Sequence, residues 1–387
     1  MTDSVHRQPT IAPGSTDFAA LAADLRQLAD KDRLRTLSPR RGADFSSNDY
    51  IGLSRSPALA QAIVDAIGRG VAVGSGGSRL LRGNDPEHEA LEAEAAACFG
   101  SEAALYFATG YAANAALLAT LPQRGDLIVH DALVHASAHE GLKLSRADAI
   151  SAGHNDAAQV DDAIARWRAA GGTGRPWIVV ESLYSMDGDR APLADLADIA
   201  DRHDAALIID EAHATGVFGR GGRGLAAALE GRPNVITLRT CGKALGCEGA
   251  LVCAPRVVRD FLVNRGRAFI FSTAPSPLMA SAVRASLRLL ADEPERRERL
   301  AALIDHAATM LSLLGIPSTG SQIIPVVVGD DRRAMALAQA LQQDGFDVRG
   351  VRPPTVPAGT ARLRLSITLN VEAATIDALA AAMGALL

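Results

Sequence analysis

Short apolar runs alternate with longer stretches of helical spacing through the middle of the chain. The apolar runs occur at positions 105–107, 127–129, 177–180, 205–209, 235–238 and 250–252. Stretches with the spacing of a helix occur at 111–121, near His135 and at 192–203. Strands that alternate with helices of about ten or more residues are typical of βαβ units. The pattern therefore predicts an α/β fold with a mainly parallel central sheet and helices on both faces.

The chain before this region predicts two helices and one strand. Residues 17–37 predict an amphipathic helix that packs on the body of the protein or on a partner subunit. Residues 45–53 predict a strand that enters a turn, and residues 57–68 predict a second helix. The inward-facing residues are expected to be Phe18, Leu21, Leu25 and Leu28 in the first helix and Ala58, Ile63 and Ile67 in the second.

The last third of the chain predicts a long helical stretch and a smaller α+β region. The helical stretch covers residues 277–314. The α+β region is expected to contain strands at 323–328 and 362–368, a helix at 332–345 and a closing alanine-rich helix. We therefore expect an N-terminal segment at 1–52, a large domain at 53–290 and a C-terminal α+β domain at 291–387.

Composition narrows the class of protein. A chain of 387 residues that is 48% hydrophobic can bury a large core, which excludes a disordered protein. The net charge of -5 and the absence of any run of five like charges give no sign of a nucleic-acid-binding or membrane-binding surface. The first residues lack the apolar core of a signal peptide, and the four cysteines form no CxxC pair. We expect a cytoplasmic protein that acts on small molecules.

Candidate chemistry lies after two of the apolar runs. Asp210 and His213 follow the run at 205–209, and Lys243 follows the run at 235–238. In parallel sheets, ligands bind at the carboxyl ends of the strands. An acid, a histidine and a lysine at neighbouring strand ends can hold pyridoxal phosphate, with the lysine as Schiff base and the acid on the pyridine nitrogen. A structural ion pair would also explain Asp210 and Lys243, although it would not require glycines around the lysine.

The segment Thr109-Gly110-Tyr111 adds a candidate anion site. It joins a predicted strand to a predicted helix, and the amides at the start of a helix favour an anion such as phosphate. Any turn between a strand and a helix has this property. The segment therefore supports a phosphate site only together with the acid, the histidine and the lysine.

Other motifs favour plainer interpretations. Residues 219–224 formally match the GxGxxG dinucleotide fingerprint, but they lie well past their strand, so a flexible glycine loop is the better account. Residues 74–79 form a second glycine-rich loop without the lysine of a phosphate-binding loop. His135 and His139 lie four positions apart, as on one face of a helix, and could suggest a metal together with His130, but they do not have the HExxH order of a zinc site, and we predict no metal.

The motifs around these residues resemble those of the α-oxoamine synthases, which are fold-type I pyridoxal-phosphate enzymes. The resemblance extends from about Leu34 to the end of the chain. The segments that carry it are Phe45-Ser46-Ser47-Asn48-Asp49-Tyr50, Gly76-Gly77-Ser78-Arg79, Gly83-Asn84, His135-Ala136-Ser137, Ser185-Met186-Asp187-Gly188-Asp189, Asp210-Glu211-Ala212-His213, Thr240-Cys241-Gly242-Lys243-Ala244-Leu245-Gly246 and residues 353–365. Such a family implies a fold like that of aspartate aminotransferase, with a smaller C-terminal α+β domain.

The resemblance implies a role for each matching residue. Lys243 would be the Schiff-base lysine, Asp210 the partner of the pyridinium and His135 the residue that stacks on the ring. The residues expected at the phosphate and the phenolic oxygen are Gly110, Tyr111, Thr240, Ser185 and His213, joined by Ser272 and Thr273 of the partner subunit in a homodimer. Asn48 and Arg364 would bind the amino-acid carboxylate. Arg35 and Thr355 would contact the acyl donor, with Arg33 as the alternative to Arg35.

The resemblance also implies a reaction. Lys243 would remove the Cα proton of L-alanine, which condenses with a pimeloyl thioester of coenzyme A or acyl carrier protein. Loss of CO2 and thiol would give 8-amino-7-oxononanoate, a step in biotin biosynthesis. Residues 353–364 favour this reaction over those of family members that use glycine or of long-chain serine acyltransferases. Two alternatives outside the family remain: a non-catalytic protein that binds pyridoxal phosphate, and an oxidoreductase based only on residues 219–224.

Overall fold

The computed structural model describes residues 18–387, which form two compact units. The larger unit comprises Asn48–Ile304 and Thr368–Asn370. The smaller unit comprises the described residues 18–47 together with Asp305–Ile367 and Val371–Leu387. No helix in the described range is both long and apolar enough to span a membrane.

The larger unit is built on a seven-stranded sheet. Its strands are β2 (Ala103–Phe107), β3 (Leu127–Asp131), β4 (Asp148–Ala152), β5 (Pro176–Glu181), β6 (Ala206–Asp210), β7 (Val235–Thr240) and β8 (Ala250–Ala254). They lie in the order β2-β8-β7-β6-β5-β3-β4. All neighbours pair in parallel except β8, which is antiparallel to both β2 and β7. This arrangement confirms the predicted mainly parallel sheet.

Helices connect and cover these strands. In chain order they are α2 (Pro57–Gly68), α3 (Pro86–Phe99), α4 (Gly110–Thr120), α5 (Ala136–Leu144), α6 (Ala157–Ala169), α7 (Leu193–Arg202), α8 (Arg256–Arg265), α9 (Arg267–Ile270) and α10 (Pro277–Asp292). Helix α11 (Glu295–Ser312) follows and continues into the smaller unit.

Side chains that alternate along the strands fill a core on each face of the sheet. Ile128 and Ile208 lie in one cluster with Leu117 of α4. Their chain neighbours belong to a second cluster, which includes Leu207 of β6 and Leu196 of α7. A fully buried Leu or Ile contributes about 1.5–3 kcal/mol. Because both faces are covered, the strands are continuous apolar runs, and this is why the sequence located them well.

The smaller unit contains two small sheets. One is the parallel pair β1 (Ala43–Asp44) and β10 (Phe346–Asp347). The other is antiparallel, with β12 (Ala361–Ser366) between β11 (Arg349–Val351) and β9 (Ile323–Gly329). The remaining helices are α1 (Ala19–Asp30), α12 (Asp331–Gln343) and α13 (Ala373–Leu386).

Two predicted helices end earlier than expected. Helix α1 stops at Asp30 rather than near residue 37, because Asp32 adopts a left-handed backbone conformation with φ of 53°. Residue 17, the predicted start, lies outside the described residues, and Phe18, Leu21 and Leu25 are exposed to solvent. The stretch 277–314 is two helices, because Pro294 cannot continue α10.

The predicted inward face of α2 was wrong. Leu59 and Ala66 are its buried residues, whereas Ala58 and Ile67 are exposed. The helix has apolar side chains around most of its circumference, so spacing could not single out one face.

Candidate active site

Three adjacent strands of the large sheet end in polar residues. Glu181, Asp210 and Thr240 are the last residues of β5, β6 and β7. The parallel register places Glu181 directly beside Asp210. The prediction that Asp210 lies at the carboxyl end of a buried strand is thus confirmed, and its nearest neighbour in the sheet is a second acid.

Asp210 is held by two hydrogen bonds. Its Oδ1 accepts from the backbone N–H of Ala212 at 2.9 Å, and its Oδ2 accepts from Asn114 Nδ2 at 2.8 Å. Asn114 also donates to Ser137 Oγ at 3.0 Å. Helices α4 and α5 therefore fix the orientation of a carboxylate that belongs to the sheet.

A cavity of about 160 Å³ opens above these strand ends. Its lining brings together most of the predicted cofactor residues with several residues that were not predicted. The lining residues are Gly110, Tyr111, Asn114, His135, Ser137, Glu181, Asp210, Ala212, His213, Thr240 and Lys243. Four separate regions of the chain that the sequence had singled out thus meet at one place.

Lys243 enters the cavity from the turn that follows β7. Its Nζ donates to Thr240 Oγ1 at 3.3 Å. The turn depends on Gly246, whose φ is +65° and where an added Cβ would lie 2.5 Å from the backbone N of Ser54. The glycine that flanks the lysine in sequence therefore serves the close approach of two backbone segments.

The N-terminus of α4 forms another wall. Thr109 caps the helix by accepting from Ala112 N at 3.0 Å. At Gly110 an added Cβ would lie 2.6 Å from Thr240 Cγ2, so no larger residue fits there without displacing Thr240. The positive end of the helix dipole at this wall favours a bound anion.

His135 caps α5 and borders the same cavity. Its Nδ1 lies 2.8 Å from Ser137 Oγ and accepts from Ser137 N at 3.2 Å. Burial lowers the pKa of His135 from its ordinary value, while Asp210 opposes this effect and Lys243 adds to it. The imidazole is thus favoured in its neutral form.

His213 and Ser185 are both buried beside further polar groups. His213 Nδ1 shares a hydrogen bond of 2.6 Å with Tyr50 Oη, and Tyr50 donates to Asn48 Oδ1 at 2.9 Å. Ser185 donates its backbone N–H to Glu181 Oε2 at 3.1 Å. Of these residues, His213 and Glu181 line the cavity.

The predicted substrate residues fall in both units. Asn48 belongs to the larger unit, and Arg35, Thr355 and Arg364 belong to the smaller. Arg35 Nη2 donates to Thr355 Oγ1 at 3.3 Å, which joins the two expected acyl-donor contacts. Arg364 is buried, and its Nη1 donates to Ser366 Oγ at 2.7 Å.

Arg33 and the two residues predicted to act from the partner subunit, Ser272 and Thr273, all lie among the described residues. Arg33, the alternative to Arg35, donates from Nε to Asp331 at 2.7 Å. Ser272 and Thr273 are exposed on the surface of the larger unit, and Ser272 Oγ donates to Ala268 O at 2.7 Å. Neither of these two residues lines the cavity described above.

The glycine loop at 219–224 is part of the packing and not a flexible segment. Its backbone closes on itself through Gly224 N, which donates to Phe218 O at 2.8 Å. An added Cβ at Gly224 would collide with the carboxylate of Glu211. Glu211 in turn lies 3.5 Å from the buried Arg239, so these glycines make room for an internal ion pair.

Metal-ligating side chains do not gather in the described part of the chain. Within residues 18–387 no three His, Cys, Asp or Glu side chains come together in a way that would hold a metal ion. His130 and His139 meet edge-on at 5.4 Å between ring centroids, whereas His135 lies outside α5 as its cap. The idea that His135 and His139 share one helical face was therefore wrong.

The sequence did not identify Asn114, Ser137 and Glu181 as residues of the site. Asn114 lies one helical turn after Gly110, which is a signal that it faces the same wall. Glu181 ends an apolar strand as Asp210 does, and this similarity could have identified it.

Comparison with known proteins agrees with this arrangement. Residues 40–383 match the family described as aminotransferase class I and II. The chain belongs to this family. It is 42% identical to the 8-amino-7-oxononanoate synthase of Anaeromyxobacter dehalogenans strain 2CP-1, with 97% of both chains covered. It is 43% identical to the synthase of that name from Chromobacterium violaceum, with 93% of this chain and 96% of the relative covered.

Solved structures show the same fold. A serine palmitoyltransferase of S. paucimobilis, solved with bound PLP and myriocin, has a TM-score of 0.86 at 27% identity and covers 95% of this chain and 97% of its own. An 8-amino-7-oxononanoate synthase of Francisella tularensis has a TM-score of 0.75 at 28% identity, with 89% and 97% covered. The predicted membership of the α-oxoamine synthases and the fold-type I architecture are confirmed.

Proposed function

We propose that this chain is a pyridoxal-phosphate-dependent acyltransferase that condenses L-alanine with a pimeloyl thioester to give 8-amino-7-oxononanoate, CO2 and free thiol, in biotin biosynthesis. The observation that carries the proposal is that Lys243 and Asp210 line one cavity with the N-terminus of α4. The identity of about 42% over nearly the whole chain to synthases of that name supports the substrates.

The residues of the cavity fit pyridoxal phosphate. A flat ring needs an amine for the aldehyde, an anion for the pyridine nitrogen and an anion site for the phosphate, and Lys243, Asp210 and the start of α4 provide them. Gly110 leaves space that a side chain would fill. When bound, the cofactor supplies an electron sink for negative charge at the amino-acid Cα.

The chain's own residues hold and exchange protons around that sink. Lys243 would bind the cofactor and serve as the general base for the Cα proton. Asp210 would keep the pyridine nitrogen protonated, and Asn114 orients Asp210 through their hydrogen bond. Neutral His135 would hold the ring, and Ser185 and His213 would bind its phenolic oxygen. Gly110, Tyr111 and Thr240 would hold the phosphate.

Four further residues are proposed for substrate recognition. Arg364 and Asn48 bind the carboxylate of alanine, since a guanidinium matches a carboxylate in geometry and charge. Arg35 and Thr355, which hydrogen-bond to each other, contact the acyl donor. Arg33 is engaged with Asp331, which favours Arg35 for this role.

We also propose a homodimer, in which Ser272 and Thr273 of the partner subunit reach the phosphate. Both residues are exposed in the single chain. Phe271 beside them is 70% exposed, and Tyr111 at the cavity is 50% exposed. A second subunit that covers these aromatic side chains would bury apolar area and complete the phosphate site.

One set of assays tests this function. Purified protein is supplied with L-alanine and pimeloyl thioester, as the coenzyme A and the acyl-carrier-protein forms in separate reactions, and 8-amino-7-oxononanoate is measured. Glycine with acetyl-CoA and L-serine with palmitoyl-CoA serve as the competing pairs. The alanine reaction should be fastest, and Lys243→Ala should abolish it. A faster reaction with either competing pair, or full activity in Lys243→Ala, would contradict the proposal.

A further inference from the structure

Glu181 is a buried acid that the proposed reaction does not use. It ends β5, it is 3% exposed, and it lines the cavity beside Asp210. The strand register places the two residues directly opposite each other in adjacent parallel strands. Two carboxyl groups therefore share one water-poor region at the floor of the cavity.

The two acids have unequal hydrogen-bond environments. Asp210 accepts from the N–H of Ala212 and from Asn114 Nδ2. Glu181 accepts at Oε2 from Ser185 N at 3.1 Å, whereas its Oε1 is buried and has no hydrogen-bond partner among residues 18–387. A carboxylate needs acceptor bonds on both oxygens, so Asp210 is much better suited to carry charge.

Charges around Glu181 favour its neutral form. Burial raises the pKa of Glu181 well above its ordinary value, and the negative charge of Asp210 raises it further. Lys243 and the N–H of Ser185 act in the opposite direction, and Asp131 adds a smaller contribution that raises the pKa. Two negative charges on directly adjacent residues of neighbouring strands repel each other strongly away from water, so only one of the two acids is expected to be ionised.

We propose that Glu181 is a positioning residue that stays protonated in the working enzyme, so that Asp210 alone of the two acids carries a negative charge. One carboxyl oxygen fixes the backbone of Ser185, and the O–H is a hydrogen-bond donor at the floor of the cavity. The inference rests on the proposed cofactor for its chemical consequence, but not for the protonation itself.

The consequence concerns the basicity of Lys243. A lysine attacks an aldehyde only as the neutral amine, and a second negative charge nearby would favour its ammonium form. A neutral Glu181 avoids this effect while it still accepts the hydrogen bond from Ser185 N. The chain thus keeps an acid where an apolar residue would lose that bond.

Infrared difference spectroscopy of the apoprotein tests the protonation directly. Subtracting the spectrum of Glu181→Gln from that of the wild type at neutral pH should reveal the C=O stretch of a protonated carboxylic acid. Asp131→Asn is the matched control, because Asp131 is equally buried but accepts hydrogen bonds from His154 and from the N–H groups of Leu133 and Asn155, and should reveal a carboxylate band. A carboxylate band lost in Glu181→Gln would overturn the proposal. Should that variant not fold, Glu181→Asp keeps the carboxyl group and should shift the same band.

A second measurement uses the holoenzyme. Glutamine resembles the neutral acid, so Glu181→Gln should leave unchanged the pH at which the visible absorption of the lysine-bound cofactor titrates. If Glu181 were ionised, removing its charge would lower this midpoint by about one pH unit. Glu181→Leu, which also removes the acceptor for Ser185 N, should weaken pyridoxal-phosphate binding about tenfold, because the backbone of Ser185 at the cavity loses its hydrogen bond. A failure to form 8-amino-7-oxononanoate would bear only on the proposed function, because the infrared result requires neither cofactor nor turnover.

Discussion

Asn114 donates its side-chain amide to Asp210 Oδ2 at 2.8 Å, which links helix α4 to the carboxyl end of strand β6. The same amide nitrogen donates to Ser137 Oγ, and Ser137 contacts His135 Nδ1. The groups proposed to act on the ring nitrogen and on the ring face are therefore oriented by one asparagine.

Replacing Asn114 by Ala should lower kcat/KM about 10- to 100-fold. A hydrogen bond to a charged group contributes about 1.5–3 kcal/mol, and about 1.4 kcal/mol corresponds to a factor of ten. Steady-state kinetics at saturating cofactor measures the effect. Asn234→Ala is the matched control, because Asn234 also donates to an aspartate, Asp201, but lies outside the cavity. Equal kinetics in the two variants would remove Asn114 from the site.

Replacing Gly110 by Ala should weaken binding of pyridoxal phosphate at least about tenfold. The new Cβ would lie 2.6 Å from Thr240 Cγ2, so that Thr240 must move. The double variant with Thr240→Ser removes the colliding methyl group and keeps the hydroxyl, and should restore most of the affinity. Equilibrium titration of apoprotein measures both.

Gly68→Ala serves as the control for this pair of variants. Gly68 also lies in a helix, and an added Cβ there meets no atom within 4 Å. Its affinity for the cofactor should equal that of the wild type. If Gly110→Ala bound the cofactor equally well, the close approach between α4 and β7 would have no part in the site.

Replacing Arg364 by Ala should raise the KM for alanine about 100-fold and change kcat much less. Removing one partner of a buried charged pair costs about 2–5 kcal/mol. Arg349→Ala is the control, because Arg349 lies directly opposite Arg364 in the small sheet but is half-exposed and donates to Asp347. An unchanged KM in Arg364→Ala would exclude Arg364 from the carboxylate role.

Replacing His154 by Ala should destabilise the protein by about 2–3 kcal/mol at pH 6–7, because two acids lose a shared charged partner. His154 contacts Asp131 at 2.9 Å and Asp189 at 2.8 Å. Burial opposes its charge, but these contacts raise the pKa of His154 to about 10. Denaturant unfolding measures the loss, and His306→Ala, which removes a more exposed pair with Asp377, should cost less than about 1 kcal/mol.

The pH dependence of this effect has a definite sign. A histidine whose folded pKa lies above its unfolded value stabilises the fold fully below about pH 6.5, and the stabilisation disappears as the pH rises through about 10. The difference in unfolding free energy between wild type and His154→Ala should therefore shrink between pH 6.5 and 10. A difference that stays constant over this range would mean that His154 is neutral in the folded protein.

The sequence predicted the buried parts of the fold well. Strands β5, β6 and β7 are continuous apolar runs because both faces of the sheet are covered, and Asp210 and Lys243 were located from those runs. Strand β4 was missed because it lies at the edge of the sheet, and four of its five residues are exposed. Its sequence therefore carries little hydrophobic pattern.

The partners of the predicted residues could not be found from spacing. Asn114 and Asp210 are 96 positions apart, and Glu181 meets Asp210 only because β5 and β6 pair in register. Helix α3 was also missed, since alanine and glutamate alternate along it without a distinct apolar face. Pairing between distant segments, rather than local pattern, determines these positions.

The register of β6 also limits where the protein can tolerate an inserted residue. Residues along a strand point alternately to opposite faces, so one residue inserted between positions 206 and 210 would move Asp210 into the place of Glu211 and Glu211 one place further along the chain. The charge of the protein would be the same, yet Glu211 would lose the buried Arg239 and the cavity would lose its anion. Insertions should therefore be tolerated in exposed turns such as residues 69–70 and eliminated between positions 206 and 210.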